Sequence, residues 1–291
     1  MTDHKQAIIA AIIAAISLGL ITTFATMAYQ GGTNPVTLVF FRILIGAVGG
    51  LVFFAFTKSD RTLNTSHIPV ILGTSIGLYI LSLSYMVAVI YIPLSLAVII
   101  FYTYPLILLM LDALKNQTWP RPMVLFGFAL AFMGLALSLL PALNNLDWRG
   151  IVLAFLAAIG ATTVFIFSAQ GSRSIGTARL LAVSHFVVLP VSLITVITWN
   201  GFSFPSNNLG WVGLLIASVC YLSGVSFQFI AVRFGNPARM AMIFNLEPLV
   251  TLMVAAALLG ERLNTVQYTG AFLVVLAILM TTAKTQDEQI N

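Results

Sequence analysis

Two stretches decide the fold: IFYTYPLILLM at residues 100–110 and IFNLEPLVTLM at residues 243–253. A shift of 143 positions lays Ile100-Phe101 on Ile243-Phe244, Pro105-Leu106 on Pro248-Leu249 and Leu109-Met110 on Leu252-Met253. The same shift puts Ala88-Val89 on Ala231-Val232, Ala113 on Ala256, Gly127 on Gly270 and Ser75 on Ser218. A shift of 141 pairs Gly19 with Gly160 and Thr22 with Thr163. Apolar coincidences are cheap for Leu and Ala. They are not for Pro and Gly at one offset across several segments, so the chain reads as an internal duplication.

The setting of that duplication is a membrane. Hydrophobic residues make up 60% of the 291 and charged residues 7%, against roughly 25% charged in a soluble domain. A bilayer core of about 30 Å takes about 20 apolar residues as helix. Such segments fall near 7–29, 36–57, 67–90, 93–112, 122–140, 149–170, 179–200, 208–232, 237–259 and 266–283. They are continuously apolar rather than alternating, which selects helices over a β-barrel. Pro93 divides an apolar run too long for one crossing. The first segment is longer than the apolar core of a signal peptide, about 7–15 residues. The fold class is therefore an all-α membrane protein of ten transmembrane helices. Residues 7–140 and 149–283 form two five-helix repeats, and because five is odd the second copy is inverted.

Basic residues orient the chain. With the N-terminus inside, ten lie on the cytoplasmic side: Lys5, Lys58, Arg61, Lys115, Arg121, Arg173, Arg179, Arg233, Arg239 and Lys284. Two, Arg149 and Arg262, lie outside. Both termini are then cytoplasmic, in a cytoplasmic membrane. The net charge of +5 is spread over short loops and gives no nucleic-acid stripe. Asn64-Thr-Ser and Asn116-Gln-Thr match the glycosylation pattern but fall on the cytoplasmic side. The single cysteine, Cys220, excludes an internal disulfide and a cysteine-based metal site. No metal-ligand cluster, phosphate loop or catalytic set emerges, so neither enzyme chemistry nor a cofactor is expected.

Inverted repeats place a site near the midplane between the halves and allow alternate openings. Ionisable residues at that depth are functional candidates. Three stand out: Arg42, His185 and Glu247. Glu247 can bind an amine, exchange a proton with either side, or serve as a carboxylic acid hydrogen-bonded to a neighbouring helix, and Pro248 can bend its helix. Arg42 can hold a carboxylate or phosphate, pair with Glu247, or reach back to the outer interface. His185, equivalent to Arg42, can relay a proton or tie two helices together. Tyr104 is the equivalent of Glu247.

Polar stripes at i, i+3, i+7 mark further cavity candidates. Helix three offers Ser75, Tyr79, Ser82 and Tyr85. Helix eight offers Trp211, Ser218, Tyr221 and Gln228. Thr22, Thr26 and Tyr29 share a face of helix one, and Thr163 and Gln170 one of helix six. Interhelical hydrogen bonding is the alternative use of each. Gly46…Gly50 and Gly73…Gly77 allow close helix approach within a monomer, with a dimer interface as the alternative. Helices five and ten, almost free of polar residues, suit an outer, lipid-facing place.

The ten-helix count, the two halves and the stretch Glu247-Pro-Leu…Leu259-Gly-Glu-Arg262 resemble the drug/metabolite transporter superfamily, specifically its EamA-type families. Lys115-Asn-Gln-Thr118 stands where the first half would carry the matching Gly-Glu. The resemblance implies a secondary transporter, often an exporter of amino acids or related metabolites. An importer or exchanger of a nucleotide-like or sulfonium metabolite is the alternative reading, and a non-transporting scaffold a third. The implied partners are a small-molecule substrate, the lipid bilayer and protons as coupling ion.

Overall fold

The computed structural model describes residues 3–57, 63–139, 146–199, 201–259 and 263–283. Lys58, Arg61, Pro141, Asn200, Gly260-Glu261-Arg262 and Lys284 lie outside them. Twelve α-helices follow one another: α1 (Asp3–Gln30), α2 (Pro35–Phe56), α3 (Ile68–Tyr91), α4 (Leu94–Phe101), α5 (Tyr104–Asn116), α6 (Pro122–Leu139), α7 (Trp148–Ser174), α8 (Thr177–Thr198), α9 (Asn208–Phe234), α10 (Pro237–Ile243), α11 (Leu246–Leu259) and α12 (Thr265–Ala283). Nine helical segments among the described residues are long and apolar enough to cross a membrane, and the shorter Thr265–Thr281 is the tenth. The fourth crossing is α4 with α5, and the ninth is α10 with α11. Pro93 caps α4, and Ile92 before it is extended, so the third and fourth crossings separate there.

The packing carries the duplication. The repeat shift sends α1 to α7 and α3 to α9. The two most extensive interfaces, α1 with α9 and α3 with α7, are therefore images of each other. The next two, α2 with α8 and α6 with α12, each map onto themselves. The correspondence extends to single residues. A Cβ on Gly134 would lie 2.7 Å from the Gly270 carbonyl oxygen. Its image pairs Gly127 with Ala277, and a Cβ on Gly127 would lie 3.7 Å from the Ala277 carbonyl oxygen.

Small residues set these close approaches. Water gives no hydrophobic drive between helices in lipid, so close backbone packing has to supply it. A Cβ on Gly50 would lie 2.6 Å from the Ala182 nitrogen, and one on Gly77 3.0 Å from the Gly160 carbonyl oxygen. Both small-residue stripes are thus used inside the chain. α6 and α12 pack on each other at the edge and expose Phe126, Phe132, Met133, Phe272 and Leu279.

Two ends of the bundle are tied differently. At the end carrying most of the basic residues, the Arg173 guanidinium donates to the carbonyls of Val232, Arg233 and Gly235 at 2.8–3.0 Å. It caps carbonyls that a helix C-terminus leaves free. The Asn236 amide donates to Asp112 at 3.2 Å, joining α10 to α5. At the other end, residues 201–206 close over the α1–α2 turn: Ser206 N donates to Gly31 O at 2.8 Å and Asn34 Nδ2 to Gly201 O at 3.0 Å.

The α5–α10 interface is one of several at which the repeats differ. α5 packs on α10, and Leu108, Leu109, Met240 and Met242 share one buried core with Ala7, Ala10 and Ala14 of α1. The image of that interface would join α4 to α11, and no comparable contact is made between them. On that side α11 packs against α1 instead.

Replacing Gly50 by Val drives a side chain into the α8 backbone and should destabilise by at least about 1–3 kcal/mol. Val48→Leu, on an exposed neighbour, should leave the melting temperature within about a degree. Thermal unfolding of the two detergent-purified variants checks this.

Candidate functional site

Two interrupted crossings meet at mid-depth. Pro105 and Pro248 lack the N–H that would reach back to the carbonyls of Phe101 and Phe244, so the ladder cannot run through. The chain turns at Tyr102-Thr103 and at Phe244-Asn245. Pro248 does not bend a continuous helix. Instead the helix ends before it, and Pro248 takes the first turn of α11, where a missing donor costs least. Local groups satisfy the turns. Thr103 Oγ1 donates to Ile100 O at 2.7 Å, Asn245 Nδ2 to Met242 O at 2.9 Å, and Glu247 N to Phe244 O at 2.9 Å.

Glu247 is the second residue of α11, about 15 Å along the crossing from Pro237 at ~1.5 Å per residue. Its carboxyl is in electrostatic reach of Tyr85, Tyr102, Tyr104 and Arg42. α1 holds it in place: Gly19 leaves room for the Glu247 carbonyl, which a Cβ there would meet at 2.7 Å. The Thr251 hydroxyl donates to Gly19 O at 2.8 Å.

Arg42, on α2, lies with its guanidinium carbon 4.4 Å from the centre of the Tyr221 ring on α9. Its buried Nε has no hydrogen-bond partner. Arg42 and Glu247 interact at a distance, but no ion pair within 4.0 Å joins them. The side chain does not reach back to the interface; it is held over a ring that accepts cations.

His185 is fully buried on α8. Its Nδ1 meets Leu181 O at 2.8 Å and its Nε2 meets the Tyr221 hydroxyl at 3.0 Å. A carbonyl only accepts, so Nδ1 carries the proton, and in the neutral ring Nε2 accepts from Tyr221. A Cβ on Gly46 would strike the imidazole at 2.3 Å. His185 therefore seats Tyr221, and Tyr221 in turn carries Arg42.

The remaining candidates divide. Tyr85 joins the rings of Phe101, Tyr102, Tyr104 and Phe165 in a continuous aromatic cluster, with centroids 5.2–5.8 Å apart. Tyr104 is buried in it. Gln228 is 7% exposed, and its amide bonds to no described residue. Ser82 is half-buried and equally unpaired. Tyr79 instead bonds Thr195 Oγ1 at 2.9 Å, tying α3 to α8. Ser75 donates to Ile71 O and to Ser184 O, and Ser218 to Leu214 O. Trp211 is stacked on Phe204, ten residues or about 15 Å along α9 from Tyr221, and does not join the cluster. Gln170 is exposed.

Tyr102 is the residue that sequence reasoning missed. It is 5% exposed and its hydroxyl has no hydrogen-bond partner. That hydroxyl is close to the Glu247 carboxyl without reaching hydrogen-bond geometry. The signal was available: Tyr102 is equivalent to Asn245, and each is a polar residue three positions before a helix-breaking Pro. A separate cleft of about 650 Å³, lined by Ile90, Tyr91, Leu146, Asp147, Trp148 and Arg149, includes none of the candidates.

Comparison with known proteins follows the same division. The model of the EamA-like transporter family matches residues 5–140 and again residues 148–283. A relative described as an uncharacterized transporter of Synechocystis sp. is 21% identical over 202 residues, 67% of this chain. The match spans 60% of that relative's length. A protein known by its crystal structure superposes with a TM-score of 0.82 over 97% of this chain and 98% of its own, at 15% identity. That likeness speaks to the fold.

Tyr221→Phe keeps the ring beneath Arg42 but leaves His185 Nε2 unpaired, a loss of about 1 kcal/mol. Tyr221→Leu removes the ring as well and should lower stability by about a further 1 kcal/mol. Urea or thermal unfolding of the two variants should rank wild type above Phe above Leu.

Proposed function

Because the chain belongs to the EamA-like transporter family, we propose that it is a secondary active transporter exporting small amphipathic metabolites, such as amino acids, by alternating access. The observation that carries the substrate class is the pair Arg42 and Glu247. Opposite charges in a low-dielectric interior attract strongly, and leaving them apart is costly. Here they interact without contact, and Arg42 Nε is unpaired. A zwitterion completes the arrangement, its carboxylate on Arg42 and its ammonium toward Glu247. The tyrosine and phenylalanine rings around Glu247 offer an apolar wall to the rest of the solute.

The α5–α10 contact, made without its α4–α11 image, supports alternating access. Exchanging the two repeats turns the α5–α10 interface into an α4–α11 interface and opens the other side. Each state needs only the packing that the sequence provides twice. With the basic end facing the cytoplasm, as the charge bias favours, the α5–α10 contact lies on the inner side. The membrane is then the cytoplasmic one and both termini are inside. The chain acts as a monomer, since its small-residue faces are used internally.

Glu247 also serves as the proton carrier: a carboxyl that meets each side in turn can load and release a proton once per cycle. A second reading draws on the rings beside Glu247. Such a cage also suits a sulfonium cation, taken up or exchanged rather than exported. Counterflow into loaded proteoliposomes separates exchange from net export.

Reconstituted protein should accumulate a labelled amino acid on imposition of a pH gradient. Arg42→Ala should lower the rate at least about tenfold, equivalent to ~1.4 kcal/mol. Glu247→Gln should abolish the dependence on the gradient. Gradient-driven transport unchanged in Glu247→Gln would remove Glu247 from coupling.

A further inference from the structure

The duplication supplies two interrupted crossings, and they are not equivalent. Each carries a buried polar side chain at its turn: Tyr102 in the fourth crossing, 5% exposed, and Asn245 in the ninth, 4% exposed. Asn245 is occupied. Its amide donates to Met242 O at 2.9 Å and lies 3.6 Å from Met242 Sδ. It repairs the turn that contains it. Tyr102 repairs nothing. The corresponding local bond in its turn is made by Thr103, which donates to Ile100 O. This leaves the Tyr102 hydroxyl buried with no partner.

A buried hydroxyl without a partner is destabilising, and a Phe at the same place would avoid it. The ring itself is well placed, packed between Phe101 at 5.2 Å and Tyr104 at 5.8 Å. The oxygen is what packing does not account for. It lies beside Glu247, the acidic residue at the start of the other crossing's second half.

We propose that Tyr102 is a ligand-recognition residue: with Glu247 it binds an N–H-bearing cationic group, its hydroxyl oxygen accepting one N–H while the carboxylate takes the charge. A hydroxyl can accept here because both its lone pairs are free. Phe101 and Tyr104 wall the same group with ring faces that favour a cation. The ninth crossing's turn is structural, whereas the fourth crossing's turn binds. This deepens the zwitterion reading above and rests on it. It also separates two kinds of cation. A primary ammonium presents N–H donors to the Tyr102 oxygen; a sulfonium or quaternary ammonium presents none and draws only on charge and rings.

The test uses the purified full-length protein, the standard amino acids as probes, and Tyr102→Phe. Phe keeps the ring and removes only the oxygen. Without ligand, Y102F should unfold at or above the wild-type temperature, because no bond within the protein is lost. With the amino acid that most stabilises wild type, Y102F should bind about tenfold more weakly. The N-trimethylated form of that amino acid should bind the two proteins alike. Asn245→Ala should do the reverse of Y102F: a lower unfolding temperature, with affinity within about twofold of wild type in the folded protein. Affinity of Y102F within about twofold of wild type would overturn the assignment alone. So would a lower unfolding temperature of ligand-free Y102F, which would mean that the hydroxyl serves the fold. If no amino acid binds wild type, the zwitterion reading falls and this assignment falls with it.

Discussion

A backbone N–H or C=O in the hydrocarbon layer has no water to bond with, so each must find a partner within the protein. That constraint makes every crossing a helix. It also confines any interruption to the interior, where side chains can supply the missing bonds. This chain interrupts two crossings, both just ahead of a Pro and both at mid-depth. The turns are braced by Thr103 and Asn245, which donate to Ile100 O and Met242 O, and Glu247 N bonds the Phe244 carbonyl that Pro248 frees. Interruption brings Tyr102 and Glu247 together at the centre of an otherwise apolar bundle.

Surrounding that centre requires helices to approach closely on every side. Gly19 makes room for the Glu247 carbonyl, Gly46 for His185, and Gly50 for the α8 backbone. The charged groups are then held by relay rather than by each other. Leu181 fixes His185, His185 fixes Tyr221, and Tyr221 carries Arg42. Held in this way, Arg42 stays near Glu247 without collapsing onto it. The same duplication that builds the bundle makes the α5–α10 contact but not its α4–α11 image.

Much of this was legible from residues alone. The ten crossings follow from hydropathy, and Pro93 separates two of them because Ile92 must be extended before it. The 143-residue shift predicts which interfaces are images of each other. Depth and azimuth were less legible. Spacing of i, i+3, i+7 assigns a shared face but not a shared level. Trp211 and Tyr221 therefore looked alike on paper and stand about 15 Å apart along one helix. Tyr79 shares the stripe of Tyr85, yet its hydroxyl ties α3 to Thr195 of α8. Hydroxyls that tie helices together and hydroxyls left unpaired have the same sequence signature; only the folded packing divides them. The pattern marks the residues directly before each Pro, Tyr104 and Glu247, and not Tyr102. The turn itself lies a few residues earlier.

The account depends on Arg42 and Glu247 gripping opposite ends of one solute at mid-depth. A density map of the protein in lipid nanodiscs, saturated with a transported amino acid, tests this most directly. The account predicts density bridging the two residues, with the carboxylate against the Arg42 guanidinium and the ammonium between Glu247 and Tyr102. Density confined to the cleft at Tyr91 and Arg149, or an Arg42–Glu247 ion pair closed with the solute bound elsewhere, would contradict it.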